Sequence, residues 1–505
     1  MATRTFRNIF SPVDGLNTVV LLSDVIVEKW QSEHILTTYF WLKRCKISHN
    51  GVFLRKTHCW MKRDIYDKLL KWKNDPFRKP LVIEGARQIG KSWILEEFAK
   101  REYENYILID FKKDRNAGLI FQSGFDMPGI LQALQIKSGI RPEPSKTLII
   151  FDEFQEAKGC FEVLKYFRQD CPEYHVAVAG SLLGITLHRG ESFPVGQCNI
   201  LKMYPMSFLE YLEGTDRQPL RSLIESRDWK MMAAFKDELT AALREYYFVG
   251  GMPEAVSIFV ATRDLEKVRQ VQTDIIEGYD NDFSKHAAEE GVDPMKIRLV
   301  YESLPAQLAK ENRKFVYGVV RTGARARTFE SAIQWLVDSG IVHKVTRVTK
   351  PGFPLSFYED KDSFKLYFVD CGLLSCMSRI PAGMIMGEKS PLVEFKGMIA
   401  EQYVLQQLLA TSDCPVHYWS KENSTAEIEF IVQTDKAIVP VEVKSSANVR
   451  STSLKNMLSA NPDLRGVRFS LKDADFQERL DSVPLYAAPA IFAGGATVSV
   501  SESGE

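Results

Sequence analysis

One short stretch limits this chain more than any other. Residues 80–92 read Pro-Leu-Val-Ile-Glu-Gly85-Ala-Arg-Gln-Ile-Gly90-Lys91-Ser92: a glycine, four residues, then Gly-Lys-Ser. Leu81 to Ile83 read as a buried strand, and Trp93, Ile94 and Phe98 follow at helical spacing. Such a loop closes main-chain N–H groups round phosphate oxygens, with the positive end of the helix dipole behind them. Gly85, Ala86, Arg87, Gln88, Ile89, Gly90, Lys91 and Ser92 are the expected nucleotide-binding residues. Lys91 would reach the β- and γ-phosphates, and Ser92 would offer its hydroxyl oxygen to Mg²⁺. The expected cofactors are therefore ATP and Mg²⁺.

A second segment belongs with the first. Thr147-Leu-Ile-Ile-Phe-Asp152-Glu153 is an apolar run that ends in two carboxylates. A buried parallel strand ends in this way at the active edge of its sheet. Asp152 is expected to join Ser92 in the metal shell, and Glu153 to polarise the attacking water. With Lys91 these two form the expected catalytic set. Tyr106–Phe111 and His175–Ser181 read as further strands of the same sheet, and Ser181 is the candidate sensor of the γ-phosphate. Strands alternating with helices predict a parallel sheet with helices on both faces.

Composition excludes several other classes. The chain has 505 residues, 45% of them apolar and 26% charged, which suits a globular protein of about three domains. Lys plus Arg equals Asp plus Glu, 65 each, so any nucleic-acid role must rest on a local patch. The eight cysteines form no CxxC pair, which argues against a zinc site or a disulfide framework. The longest apolar run, Val19 to Val27, is interrupted by Ser23 and Asp24 and is too short to span a bilayer. The expectation is a cytoplasmic chain with no membrane partner.

Basic residues concentrate in the middle. Residues 310–350 hold nine Lys/Arg against three Asp/Glu. Phe329, Ala332, Ile333, Leu336 and Val337 mark one apolar helical face, with Thr328 as its expected cap and Gly340 as its end. A strand from Ile341, a Pro/Gly turn at 351–354 and a strand at Lys365–Val369 complete a winged-helix pattern. Arg321, Arg325, Arg327, Lys344 and Arg347 would meet DNA phosphates. A solvated basic face on a packing module is the alternative.

Near the C-terminal end, Ala426–Val432 and Ala437–Lys444 read as a hairpin. Glu442 and Lys444 share one strand face, and Glu429 sits on the neighbouring strand. With Glu401 on a helix starting near Phe395, the set resembles the PD-(D/E)xK nuclease core, in which acids gather Mg²⁺ and activate water. Glu429 stands where that core usually has Asp, one methylene shorter. Cleavage, DNA binding without cleavage and a structural role all stay open.

The order GARQIGKS, LIIFDEFQE, AVAGSLLG, GESFPVGQ, YPMSFLEYL and YYFVGGMPEAV resembles prokaryotic AAA-type ATP-binding proteins with a C-terminal domain of unknown function, number 4143. The likeness covers about Met61 to Phe492. It implies a cytoplasmic ATPase, and an oligomer is compatible with it. Where many relatives carry an arginine after the glycine matching Gly196, this chain has Gln197, which leaves Arg189 as the nearby substitute.

The expected fold is α/β: a P-loop NTPase parallel sheet, then a winged-helix-like module and a PD-(D/E)xK-like α/β C-terminal domain. The expected parts are an extension at 1–60, either an appendage to a functional protein beginning near Met61 or a true N-terminal extension with its own contacts, and the ATPase domain at 61–215. A helical lid or linker follows at 216–295, the winged-helix-like module at 296–385, the nuclease-like domain at 386–492 and a loose tail at 493–505. The expected function is an Mg²⁺-dependent ATPase acting on DNA, through 310–350, or on a protein. An ATP-gated nuclease and a nucleotide-switched interaction protein without a nucleic-acid partner are the alternatives.

Overall fold

The computed structural model describes residues 45–47, 53–55, 62–114, 116–122, 126–157, 161–180, 196–287, 291–310, 313–387, 393–421, 426–445 and 452–493. They fall into two units, Met1–Cys59 and Trp60–Glu505. In the first, strands β1 (Cys45–Ile47) and β2 (Phe53–Arg55) pair antiparallel.

The second unit opens with helix α1 (Ile65–Asn74), which buries Ile65, Leu69 and Trp72 on one face. A five-stranded parallel sheet follows, built from β3 (Leu81–Glu84), β4 (Asn105–Asp110), β5 (Thr147–Asp152), β6 (His175–Ala179) and β7 (Asn199–Lys202). Their spatial order is β4-β5-β6-β3-β7, with every pairing parallel. The apolar runs are continuous because the sheet is covered on both sides. Val82, Ile149, Phe151, Val176 and Val178 face one core, while Leu81, Ile83, Leu148, Ile150, Ala177 and Ala179 face the other. Helix α2 (Lys91–Glu102) lays Ile94, Leu95 and Phe98 on the second face. Helices α3 (Met127–Ser138) and α4 (Glu162–Asp170) cover the first. Strand β6 runs between the strand that feeds the glycine loop and the strand that ends in Asp152. The expected sensor Ser181, which follows this strand, and Arg189 lie outside the described residues.

A helical stretch then leads away from the sheet. Helix α5 (Phe208–Gly214) starts with a capping box: Ser207 accepts from the Glu210 amide and Glu210 accepts from the Ser207 amide. Helices α6 (Lys236–Val249), α7 (Pro253–Thr262) and α8 (Leu265–Asp282) follow, and α8 runs into a π-helical turn at Phe283–Ala287. The specific-looking segments YPM and VGGMPE meet here. A methyl group on Gly251 would lie 2.2 Å from the Met206 carbonyl oxygen, so only glycine allows this approach. The Gly251 amide donates to the buried Asp370 carboxylate at 2.6 Å.

Helix α9 (Pro294–Leu308), helix α10 (Ala326–Asp338) and the hairpin β8 (Val342–Val348) with β9 (Glu359–Phe368) supply the helix, strand, turn and strand expected of the middle module. The α10 helix begins at Ala326, so Thr328 lies inside it and does not cap it. The hairpin does not end in a sheet of its own. Strand β8 pairs in parallel with β10 (Val416–Ser420), Arg347 opposite Tyr418. One mixed sheet of eight strands results, in the order β14-β15-β13-β12-β11-β10-β8-β9. The others are β11 (Glu427–Gln433), β12 (Ile438–Val443), β13 (Gly466–Ser470), β14 (Asp475–Phe476) and β15 (Leu480–Pro484). The expected boundary at 385/386 therefore falls inside a single sheet. The physical reason is that a two-stranded hairpin leaves two open edges, and pairing β8 with β10 satisfies one of them.

Helix α11 (Cys371–Met377) follows β9, and helix α12 (Val393–Thr411) lies across the junction. The α12 glutamines work as a comb. Gln402 exchanges two hydrogen bonds with the Phe368 main chain, Gln406 binds Cys371 N and Asp370, and Gln407 accepts from Phe208 N. Helix α13 (Ser453–Ala460) closes the far face of the sheet over Ile428, Ile431 and Ile438.

Candidate functional site

The glycine loop has the backbone its sequence predicts. Gly85 and Gly90 take φ of +144° and +93°, and a Cβ on Gly85 would collide with the Met203 carbonyl oxygen at 2.2 Å. The loop wraps back on itself at the start of α2. Lys91 donates to the carbonyl oxygens of Gly85 at 2.8 Å and Ala86 at 2.7 Å. Burial pushes its ammonium down to about 8, although Glu153 and Asp152 pull it up.

The two carboxylates arrive from β5. Strand β5 stops at Asp152, and Glu153 turns left-handed at φ 49°. This turn lets Phe151 and Phe154 stack at 5.5 Å within an apolar cluster that includes Phe111 and Phe167. Backbone strain at Glu153 is thus held in place by buried aromatic area. Ser92 Oγ donates to Asp152 Oδ1 at 2.8 Å, and burial raises the Asp152 carboxyl above its ordinary range. Gln155 Nε2 donates to Glu153 Oε2 at 2.5 Å. Lys91, Ser92, Asp152 and Glu153 therefore meet at one sheet edge. Asp152 and Ser92 offer oxygen only, the donor set that suits a hard cation such as Mg²⁺.

Sequence reasoning missed the cover of the loop. The Arg87 guanidinium pairs with Asp282 at the end of α8, and Tyr279 donates its hydroxyl to the Arg87 carbonyl at 3.0 Å. Gly340 approaches from another side, where a Cβ would lie 3.0 Å from the Ala86 nitrogen. The Asp and Tyr three residues apart near the end of a helix were the available signal, but nothing local pointed them at Arg87.

The C-terminal set also comes together. Lys444 Nζ lies 3.3 Å from Glu429 Oε1 and 3.4 Å from Glu442 Oε1. Each acid meets a cation: Arg468 Nε is 2.8 Å from Glu442 Oε2, and Arg313 Nη1 is 2.6 Å from Glu401 Oε1. Beside them Lys365 pairs with Glu427. Glu401 and Glu442 are buried. Burial pushes Glu429 up to about 7, with Glu401 and Glu442 adding repulsion against the pull of Lys444. Four acids thus face four cations. Among the described residues no cluster of three or more His, Cys, Asp or Glu is arranged to hold a metal ion.

Of the expected phosphate contacts, Arg321, Arg325, Arg327 and Lys344 are exposed. Arg347 is different: its guanidinium is 2.7 Å from Asp360 across the hairpin. No described helix is long and apolar enough to cross a membrane.

Comparison with known families fits this geometry. The AAA domain matches residues 77–212, which hold the loop and both carboxylates. A domain of unknown function, DUF4143, matches residues 396–489. The chain thus carries an AAA domain followed by a C-terminal DUF4143 domain. Between the two, a further domain of unknown function, DUF8612, matches residues 240–383. That segment ends within three residues of the expected 385 boundary, although the sheet continues past it. Solved structures similar to this AAA-type chain include a Walker-type ATPase of Pyrococcus abyssi, 15% identical, covering 66% of this chain and 98% of its own, with a TM-score of 0.42. The Aeropyrum pernix ORC1 protein in complex with DNA is 12% identical over 63% of this chain and 91% of its own, at 0.25. The Thermotoga maritima RuvB Holliday junction branch migration motor is 13% identical over 59% and 92%, at 0.28. None of the three carries its own activity over to this chain. No curated protein matches it.

Proposed function

We propose that the chain is an Mg²⁺-dependent ATP hydrolase that couples its nucleotide state to a target. The observation that carries this reading is the meeting of Lys91, the Ser92–Asp152 pair and Glu153 at the mouth of a glycine loop. Lys91 would leave two carbonyls for phosphate oxygens, a stronger acceptor for an ammonium in a dry site. Glu153, fixed by its turn and by Gln155, would orient the attacking water. Mg²⁺, held by Ser92 and Asp152, would neutralise charge on the phosphates. Catalysis of this kind is positioning and electrostatics.

DNA is the target this reading favours. Arg321, Arg325, Arg327 and Lys344 supply exposed charge within a segment of nine basic and three acidic residues. The C-terminal acids support a structural role better than cleavage, because each already has a full counter-charge.

An ATPase assay with and without DNA tests the proposal. Wild type should turn over ATP, and Lys91→Ala should abolish binding or turnover. Undiminished turnover in that variant would refute the site. A gel shift at two salt concentrations tests the target: phosphate contacts predict affinity that falls steeply with salt. Plasmid incubated across divalent metals should stay intact.

A further inference from the structure

Arg87 sits in the glycine loop, yet its counter-ion comes from a helix about 195 residues further along the chain. Asp282 is only 10% exposed at its side chain. The two are held together from both sides. Tyr279, one turn back on α8, bonds the Arg87 carbonyl, and a Cβ on Gly278 would lie 3.8 Å from Gln88 Nε2. Directly after Asp282 the helix widens into a π-turn, a feature that often marks a functional position.

The other end of α8 grips the C-terminal half. Arg269 donates to Ser375 Oγ and to the Ile380 carbonyl, both at 3.2 Å. Gln272 binds the Phe248 and Val249 carbonyls at 2.7 and 3.0 Å. Ser375 lies on α11, directly after strand β9 of the eight-stranded sheet. Helix α8 is thus a rod roughly 27 Å long between the loop and the second sheet.

We infer that the Arg87–Asp282 ion pair is a nucleotide-responsive latch, opened when the terminal phosphate of a nucleoside triphosphate takes the Arg87 guanidinium from Asp282. This rests on the reading of the loop as an ATP site and names how that site is read out. A guanidinium offers a planar fork that fits either a carboxylate or a phosphate, and it cannot serve both fully. Arg87 stands in the glycine loop four residues before Lys91, so its guanidinium can turn from Asp282 toward a phosphate that the loop holds. When Arg87 turns to phosphate, Asp282 is left buried beside no full positive charge. An uncompensated buried carboxylate is costly, so α8 shifts to wet it. Because Arg269 ties the other end to Ser375 of α11, and Gln272 ties it to α6, the shift reaches α11, which follows β9 of the sheet. A diphosphate, lacking the terminal group, leaves the latch closed. Asp282 acts through Arg87 and is a positioning residue.

The test uses the full chain and two probes, ADP and a non-hydrolysable ATP analogue, titrated by calorimetry. Asp282→Asn removes the competitor for Arg87, so analogue affinity should rise about tenfold while ADP affinity stays within about twofold. Hydrogen exchange across 265–282 should rise on adding the analogue to wild type, and should no longer respond in the variant. Tyr279→Phe keeps the ion pair and removes one hydrogen bond. It should raise exchange in 265–282 without nucleotide and strengthen analogue binding by less, so the test does not depend on Asp282→Asn folding. If both variants match wild type in the ratio of the two affinities and in exchange, the latch is overturned. If wild type binds analogue and ADP but only the latch responses fail, the ATP site stands. If wild type binds neither, the ATP site and the latch fall together.

Discussion

The two polar clusters of this protein use the same residue types and hold them in opposite ways. At the glycine loop, Lys91 rests on two main-chain carbonyls and Asp152 on a hydroxyl and an amide. In the C-terminal sheet, Lys444 rests on the carboxylates of Glu429 and Glu442, Arg468 holds the other oxygen of Glu442, and Arg313 closes Glu401. Partial charges can be traded for phosphate oxygens or a cation with little loss. Full counter-charges in a buried setting cannot, since removing either partner strands the other. A cluster waiting for a ligand is held by exchangeable partners, and one that serves the fold is held by its own opposite charges.

The largest contrast should come from two glutamine substitutions. Glu153→Gln removes the carboxylate that we propose orients water while keeping shape. Turnover should fall about a thousandfold with nucleotide binding retained. Glu442→Gln should leave turnover per folded molecule near wild type, because its partners Lys444 and Arg468 both belong to the C-terminal part of the chain. Single-turnover ATPase measurements on both variants decide this. A comparable loss in Glu442→Gln would break the division between the two clusters.

Next in size is a stability effect. Arg313→Met leaves Glu401, 3% exposed at its side chain, without its full counter-charge. A loss of about 3 kcal/mol is expected. Denaturant titration followed by a probe in the C-terminal half should show the midpoint falling, while ATP affinity of the folded protein stays unchanged. Loss of ATP affinity without a lower midpoint would place this cluster in the working site.

How legible these features were in the sequence follows from how local their causes are. The loop, the strand before it and the Asp152–Glu153 turn are each set by a few adjacent residues, so spacing alone placed them. The hairpin bearing Glu429, Glu442 and Lys444 was legible for the same reason: period-2 alternation fixes which side chains share a face. The pairing of β8 with β10 was not, because an edge strand's partner is chosen by backbone geometry some seventy residues away. Arg313 and Arg468 as counter-ions were invisible on the same grounds, as was Asp282 for Arg87. The α12 glutamines left a trace, polar residues at 402, 406 and 407 beside Glu401 in the largely apolar stretch 398–410, but their role as a comb needs the neighbouring chain ends.

The smallest effect separates the clusters by pH alone. Lys91 has its ammonium lowered to about 8 by burial, so it is charged below that value and neutral above it. Only the ammonium attracts phosphate. ATP affinity should therefore be flat below pH 7 and weaken as pH rises through 8, by at most about tenfold per pH unit. Glu429 moves the other way. Its carboxyl is raised to about 7 from an ordinary 4.5, so the folded state holds the proton more tightly than the unfolded chain does. Its contribution to stability is full below 4.5 and is lost as pH rises through 7. Calorimetric titration of ATP from pH 6 to 9 and denaturation midpoints from pH 4.5 to 7.5 should thus bend in separate windows. Lys91→Arg should remove the first bend, since a guanidinium stays charged throughout, and leave the second in place. If the affinity bend persists in Lys91→Arg, another group in the loop carries the proton, and Lys91 is not the charge that the carbonyls of Gly85 and Ala86 hold ready.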